Sequence, residues 1–162
     1  MKTLYLVRHA KSSWDDPALA DNERPLDARG KRDAPKVGKR LLKAGAKPDL
    51  ILSSPAKRAL TTARIIAKEL GYKRKKIVVD DRLYAAEANV VLDIIQRLDK
   101  EAECVMLFGH NPELTELAHR LSSQIKRMPT CAVAQFTFGV NSWARIGKAA
   151  PATADVSYPP KK

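Results

Sequence analysis

Three short runs of strand-forming residues each stop at side chains able to do chemistry, and each then gives way to a segment of helical period. Thr3-Leu4-Tyr5-Leu6-Val7 delivers Arg8-His9-Ala10; Leu50-Ile51-Leu52 ends in Ser53-Ser54-Pro55, with Lys57-Arg58 just beyond; Cys104-Val105-Met106-Leu107-Phe108 delivers Gly109-His110-Asn111-Pro112. Alternating strands and amphipathic helices predict an α/β chain, a three-layer αβα sandwich around a mainly parallel sheet. Sheets of that kind bind ligands at the carboxyl ends of their strands, where loops project over a rigid floor. Two arginines and two histidines are thus aimed at one edge of the molecule.

Along the chain, the first strand covers about residues 2 to 8. Asp27 reads as the N-cap of a helix that ends near Ala44-Gly45, with Ala34, Val37, Leu41 and Ala44 on its inner stripe. Pro35 falls inside that span and predicts a bend or a later start. Leu50 to Ser53 is the second strand, and Pro55 opens a helix that runs to Leu70-Gly71. Ile77-Val78-Val79 is a short strand, followed by a helix from about Glu87 to Asp99. The run 104 to 108 lacks polar alternation and reads as the central strand, and Asn111-Pro112-Glu113 opens the next helix. Ala132 to Phe138 alternates as a strand, Gly139-Val140-Asn141 turns, Ser142 to Ile146 returns as its partner, and Ala154 to Tyr158 adds an edge strand. The 162 residues read as a single domain without internal repeats, ending in a partly extended or frayed tail from about 148 that carries Lys161-Lys162.

Charge limits the choice of partners. Thirty Lys and Arg against eighteen Asp and Glu leave a formal net charge of +12. The basic clusters, such as Lys39-Arg40 and Lys73-Arg74-Lys75-Lys76, alternate with acidic and apolar residues or close helices, and aromatics are only 6% of the chain. Stacking platforms for single strands are therefore lacking, and a solvated surface is expected rather than a nucleic-acid site. No apolar segment approaches the ~20 residues needed to cross a bilayer, so no membrane partner is expected. Cys104 and Cys131 each sit in an apolar stretch and read as buried thiols in a cytoplasmic protein. Cysteine and histidine spacing resembles no metal site, so no metal and no cofactor is expected.

His9 follows an arginine, and like charge disfavours the protonated ring, so a neutral, nucleophilic imidazole is expected. Arg58 stands in the first turn of a helix, where free amides and the dipole already favour an anion that a guanidinium fork can grip. His110 occupies a glycine-preceded turn between strand and helix and can also point over the sheet. Together these groups suit phosphoryl transfer, which depends chiefly on positioning and preorganised positive charge. His119 lies off the apolar stripe of its helix and reads as a boundary residue, Trp14 walls the pocket or packs, and Asp21 and Arg24 line the entrance or pair with each other.

These blocks resemble the histidine phosphatase superfamily, also called phosphoglycerate mutase-like. Val7-Arg8-His9-Ala10-Lys11-Ser12-Ser13-Trp14 is similar to its first block, Ser53-Ser54-Pro55-Ala56-Lys57-Arg58-Ala59-Leu60-Thr61-Thr62-Ala63 to its second and Gly109-His110-Asn111-Pro112 to its third. Arg24-Pro25-Leu26 with Arg29-Gly30 is similar to the small SixA-type phosphohistidine phosphatases. The resemblance implies a phosphoglycerate mutase-like fold, His9 as the phosphoryl acceptor, and Arg8, Arg58 and His110 binding the phosphoryl oxygens, with Ser12 and Arg24 as further substrate contacts and no metal.

Departures from the pattern are informative. Ala10 replaces a glycine, Thr61 replaces a frequent glutamine, and Asp15 stands where many relatives carry an asparagine that donates to phosphate, so it is expected to turn away or pair with a base. The glutamate of an Arg-Leu-x-Glu block, which protonates the leaving group in many relatives, is absent from Arg82-Leu83-Tyr84-Ala85. Asp80, Asp81 and Glu87 are the nearby candidates for that role. A missing acid is tolerable for a phosphoramidate, whose leaving imidazole takes its proton from solvent, and costs about 10²- to 10⁴-fold for an alkyl ester. The expected substrate is accordingly a phosphohistidine-bearing protein, such as a phosphotransfer or phosphocarrier domain. Small phosphate esters and a non-catalytic phosphoprotein-binding module are the alternatives.

Overall fold

The computed structural model describes residues 1–160; Lys161 and Lys162, which close the expected tail, lie outside the described residues. Six strands form one sheet in the order β3-β2-β4-β1-β5-β6: β1 (Lys2–Arg8), β2 (Leu50–Ser53), β3 (Val78–Val79), β4 (Cys104–Gly109), β5 (Val133–Phe138) and β6 (Thr153–Ser157). The first four run parallel, and β5 and β6 are antiparallel additions at one side.

Alternation along β1 shows why two layers of helices are needed. Tyr5 and Val7 face α1 (Ala28–Lys43) and α2 (Lys57–Glu69), packing with Val37, Leu41, Ala63 and Ile66. Leu4 and Leu6 face α3 (Ala88–Gln96) and α4 (Glu113–Leu121), packing with Val91, Ile95, Leu114 and Leu117. A strand buried on both faces has no place for polar alternation, and the central position of β4 follows from its apolar run.

Two helix boundaries differ from the sequence reading, and an internal proline leaves its helix unbroken. Helix α1 begins at Ala28, where the Asp27 carboxylate accepts the Gly30 amide at 2.8 Å, and continues through Pro35 instead of starting later. Pro35 lies on a partly exposed face, where water can serve the carbonyl that loses its donor. Helix α2 starts at Lys57, not Pro55, because the Ser54 hydroxyl takes up the Ala56 amide first. Helix α3 stops at Gln96 rather than Asp99, whose carboxylate instead closes a turn on the Glu101 amide.

The largest correction concerns residues 142 to 146. They form no strand; Trp143–Arg145 is a single 3₁₀ turn. Trp143 and Ile146 are three residues apart, so one tight turn buries both completely, whereas a strand would send them to opposite faces. The indole Nε1–H donates to the Ala102 carbonyl at 2.7 Å. Antiparallel pairing with β5 falls to Thr153–Ser157, which keeps the extended part of the tail in the sheet. Both cysteines are free thiols: Cys131 is buried and Cys104 partly so, and burial pushes them up to about 12 and about 11.

Candidate active site

Strand order assembles the site. Because β4 lies between β1 and β2, and the registers pair Arg8 with Gly109 and Ser53 with Phe108, the residues just past the three strand ends fall side by side. The His9 amide donates to the Gly109 carbonyl at 3.1 Å, and the Ser54 amide to the Phe108 carbonyl at 3.0 Å. The His9 and His110 rings stand 5.2 Å apart. Arg8, His9, Ser12, Arg24, Arg58 and His110, the six residues singled out from the sequence, line one cleft of about 200 Å³ with Lys11, Trp14, Asn111 and Thr130.

The His9 ring is neutral with one nitrogen bare, the state that nucleophilic attack requires. Its Nδ1–H donates to the Ala10 carbonyl at 2.7 Å, which leaves Nε2 as the ring's bare lone pair. The ring is held neutral, its pKa lowered to about 3. Sequence reasoning credits the neighbouring arginine, but burial of a ring only 7% exposed is the main cause, with His110, Arg58 and Arg8 adding repulsion.

The loop that carries His9 is fixed from three sides. The Ala10 amide donates to Thr62 Oγ1 at 3.0 Å, and that hydroxyl donates to the Arg58 carbonyl at 2.7 Å. The Cys131 amide donates to the His9 carbonyl at 2.9 Å, from a backbone at φ +61°, a left-handed conformation that costs a non-glycine residue of order 1–3 kcal/mol. Helix α1 presses on the loop at Gly30, where an added Cβ would lie 2.2 Å from the Lys11 carbonyl oxygen. Ala10 is itself fully buried, so the turn accommodates the β-carbon that replaces a glycine.

Around this lone pair, donors converge. His110 Nε2 lies 2.8 Å from Ser54 Oγ; with that hydroxyl, which also accepts the Ala56 amide, as the donor to Nε2, the ring proton sits on Nδ1. That assignment leaves Nδ1–H as a buried donor without a partner. Burial, then Arg58, lowers the ring's pKa to about 4, and the edge of Tyr84 packs on it at 5.8 Å. Arg8 Nη1 donates to the Met128 carbonyl at 3.2 Å, while its buried Nε has no partner. Arg58 gives Nη1 to the Asp21 carbonyl at 2.6 Å and Nη2 to the Asp21 carboxylate at 3.0 Å. Arg24 reaches Asp21, the Ser13 carbonyl and the Ser12 hydroxyl, and its guanidinium lies 3.3 Å from the centre of the Trp14 ring. Buried donors without partners beside guanidinium groups suit an oxyanion.

Asp21 is the residue whose importance sequence reasoning missed. Named there for an entrance or a pair with Arg24, it ties Arg24, Arg58 and the Tyr84 hydroxyl (2.6 Å) together. Tyr84 first, then the two arginines, hold its carboxyl well below the usual range. Ser54 and Thr62 belong to the second block, yet only the register of β2 and the fourth-residue spacing from Arg58 disclose their contacts.

Other candidates lie elsewhere. Asp80 is engaged by Arg82 at 2.8 Å, Glu87 stands at the N-cap position of α3 without a side-chain capping bond, and neither they nor Asp81 lines the cleft. Asp15 is exposed and turned to solvent without an ion pair among the described residues, and Thr61 faces the outer side of α2. His119 is exposed, its Nδ1 paired with the Ile125 carbonyl at 2.9 Å.

Comparison with known proteins gives a concordant result. An uncharacterized chloroplastic protein of Arabidopsis thaliana is 33% identical over 150 residues, 88% of this chain and 69% of that protein. Among solved structures, SixA of Agrobacterium tumefaciens, a candidate phosphohistidine phosphatase, superposes with a TM-score of 0.77 at 30% identity, covering 83% of this chain and 90% of that one. A second such SixA, from Nakamurella multipartitia, shares the fold with a TM-score of 0.82 at 23% identity, covering 98% and 96%. A family model described as histidine phosphatase superfamily (branch 1) matches residues 4–91, the stretch that carries the first two blocks. The chain therefore belongs to the histidine phosphatase superfamily, as a member of the SixA type.

Proposed function

We propose that this phosphatase acts on phosphohistidine carried by a protein, through a covalent intermediate on His9. The observation that carries the reading is the fixed tautomer of His9: with Nδ1–H tied to the Ala10 carbonyl, Nε2 presents its lone pair to a cleft lined by Arg8, Arg58 and His110. Attack by Nε2 on phosphorus forms a phosphorus–nitrogen bond to His9 and breaks the one to the substrate imidazole, which leaves with a proton from solvent. Water then attacks the phosphorus of phospho-His9, that bond breaks, and orthophosphate departs with the water's proton passed to solvent. Arg8, Arg58, His110, Ser12 and Arg24 bind the phosphoryl oxygens, supplying charge where negative charge concentrates.

Two observations favour phosphohistidine over an alkyl ester. No protonated carboxyl lines the cleft: Asp80, Asp81 and Glu87 lie off it, and Asp21 is held ionised by Tyr84 and its arginines. At about 200 Å³ the cleft admits a phosphoryl group and little more, which leaves the body of the substrate outside, as a protein surface requires. A metal-independent reaction fits the same set of donors, and free thiols fit a cytoplasmic setting.

The test compares hydrolysis of a phosphohistidine protein, phosphoramidate and an alkyl phosphate by the wild type and His9→Ala. Nitrogen-linked substrates are expected to turn over at least a hundredfold faster than the alkyl ester, with an acid-labile phosphoenzyme that His9→Ala abolishes. Preference for the alkyl ester would refute the substrate assignment, and binding without turnover would make the protein a recognition module.

A further inference from the structure

The outer face of α2 carries cations that nothing in the molecule uses. With Ala59, Ala63, Ile66 and Ala67 buried on the inner side, Thr61, Arg64, Ile65 and Lys68 line an opening of about 580 Å³ together with Tyr72 and Arg74. A second opening, of about 650 Å³, is lined by Arg64, Lys73, Arg74, Lys75 and Ile77. The two share Arg64 and Arg74 and are therefore one groove. Among the described residues, none of Arg64, Lys68, Lys73, Arg74 and Lys75 has a carboxylate within 4.0 Å. Glu69, the single acid of α2, packs toward α1, its Cβ and Cγ 2.9 Å from where a β-carbon on Gly38 would sit.

Five cations without counter-charges around one concavity repel each other, and an incoming anion relieves that repulsion. Ile65, Ile77 and Tyr72 give the same groove apolar walls. We propose that it docks an acidic, extended segment of the protein that presents the phosphohistidine, an inference that rests on the substrate reading above. Geometry supports a shared substrate. Arg58 in the catalytic cleft and Arg64 and Lys68 in the groove lie on one helix, about 9 and about 15 Å apart along its axis at 1.5 Å per residue. A partner too large for the cleft can thus rest on the groove while its phosphoryl group reaches His9. A nucleic-acid strand is the poorer fit, because Tyr72 is the groove's one aromatic and its hydroxyl is tied to the Lys76 carbonyl at 3.2 Å.

The variant Arg64→Glu/Lys68→Glu/Arg74→Glu tests this, since none of the three residues lines the catalytic cleft. With fluorescein-labelled poly-glutamate of about twenty residues as the probe, anisotropy is expected to show binding that weakens steeply with added salt and at least a tenfold weaker Kd in the variant. With an acidic phosphotransfer domain phosphorylated on histidine, KM should rise at least tenfold while kcat, and phosphoramidate turnover, stay within twofold. Equal poly-glutamate binding by wild type and variant would overturn the proposal, and so would a labelled oligo-dT of the same length binding more tightly than poly-glutamate. Loss of phosphoramidate turnover in the wild type would count against the substrate reading and leave the binding result standing.

Discussion

Gly30 is where α1 packs on the loop of the proposed nucleophile, and Gly30→Ala separates two opposed forces. Considered as a helix residue, alanine in the first turn of α1 is better than glycine by roughly 0.5–1 kcal/mol. Considered in place, its β-carbon would lie 2.2 Å from the Lys11 carbonyl oxygen and 3.1 Å from two more backbone atoms of Lys11, where contact below 3.0 Å is not tolerated. Backbone cannot swing aside as a flexible side chain can, so loop and helix must separate by about 1 Å, at a cost of about 1–3 kcal/mol for overpacking. The net loss is about 0.5–2 kcal/mol, or a Tm lower by a few degrees for a chain of this size. The displaced loop also holds His9 two residues away, and the Asp27 amide bonds that same carbonyl at 3.0 Å. A nucleophile misplaced by about 1 Å loses on the order of 10²-fold in rate. Thermal melting and phosphoramidate kinetics on the same preparation provide the check. A variant that melts higher with unchanged kcat would show that helix propensity governs this position and that the loop does not depend on α1.

Two further outcomes are expected. Ser54→Ala removes the hydroxyl that donates a hydrogen bond to His110 Nε2 and leaves both ring nitrogens without a partner; kcat should fall about tenfold, the yield from one lost buried hydrogen bond, and the nitrogen-15 shifts of His110 should report a changed tautomer. Acidification should act on stability before it acts on the nucleophile. The folded pKa values of His9 and His110, about 3 and about 4, lie below the unfolded value near 6.5, so the unfolded chain takes up protons first. That part of the stability is complete above pH 6.5 and is lost as pH falls through 4 toward 3, and His9→Asn should flatten the decline in denaturant midpoint. The His9 ring proton shift should stay constant between pH 5 and 8, and a titration near 6.5 would refute the burial argument.

Much of this architecture is written locally. Buried strands need unbroken apolar runs and helices need a stripe every three or four residues, so β1, β2, β4 and the inner faces of α1 and α2 could be read directly from Leu4–Val7, Leu50–Leu52, Val105–Phe108, Val37, Leu41, Ala63 and Ile66. The gathering of Arg8, His9, Arg58 and His110 at one edge of the sheet was legible for the same reason, because each follows a strand end or opens a helix. What stayed hidden depends on pairs far apart in sequence. The apolar run of β4 predicts a central strand but not its neighbours, and only the pairing of β1 with β4 sets the His9 and His110 rings 5.2 Å apart. The contact of Asp21 with Arg58 spans 37 residues and that with Tyr84 spans 63. The same holds for residues 142 to 146, where the Gly139-Val140-Asn141 turn suggested a returning strand and burial of Trp143 and Ile146 demanded a 3₁₀ turn. Periodicity encodes which face a residue shows, whereas the partner it meets there is chosen by packing of the whole chain, which no window of sequence contains.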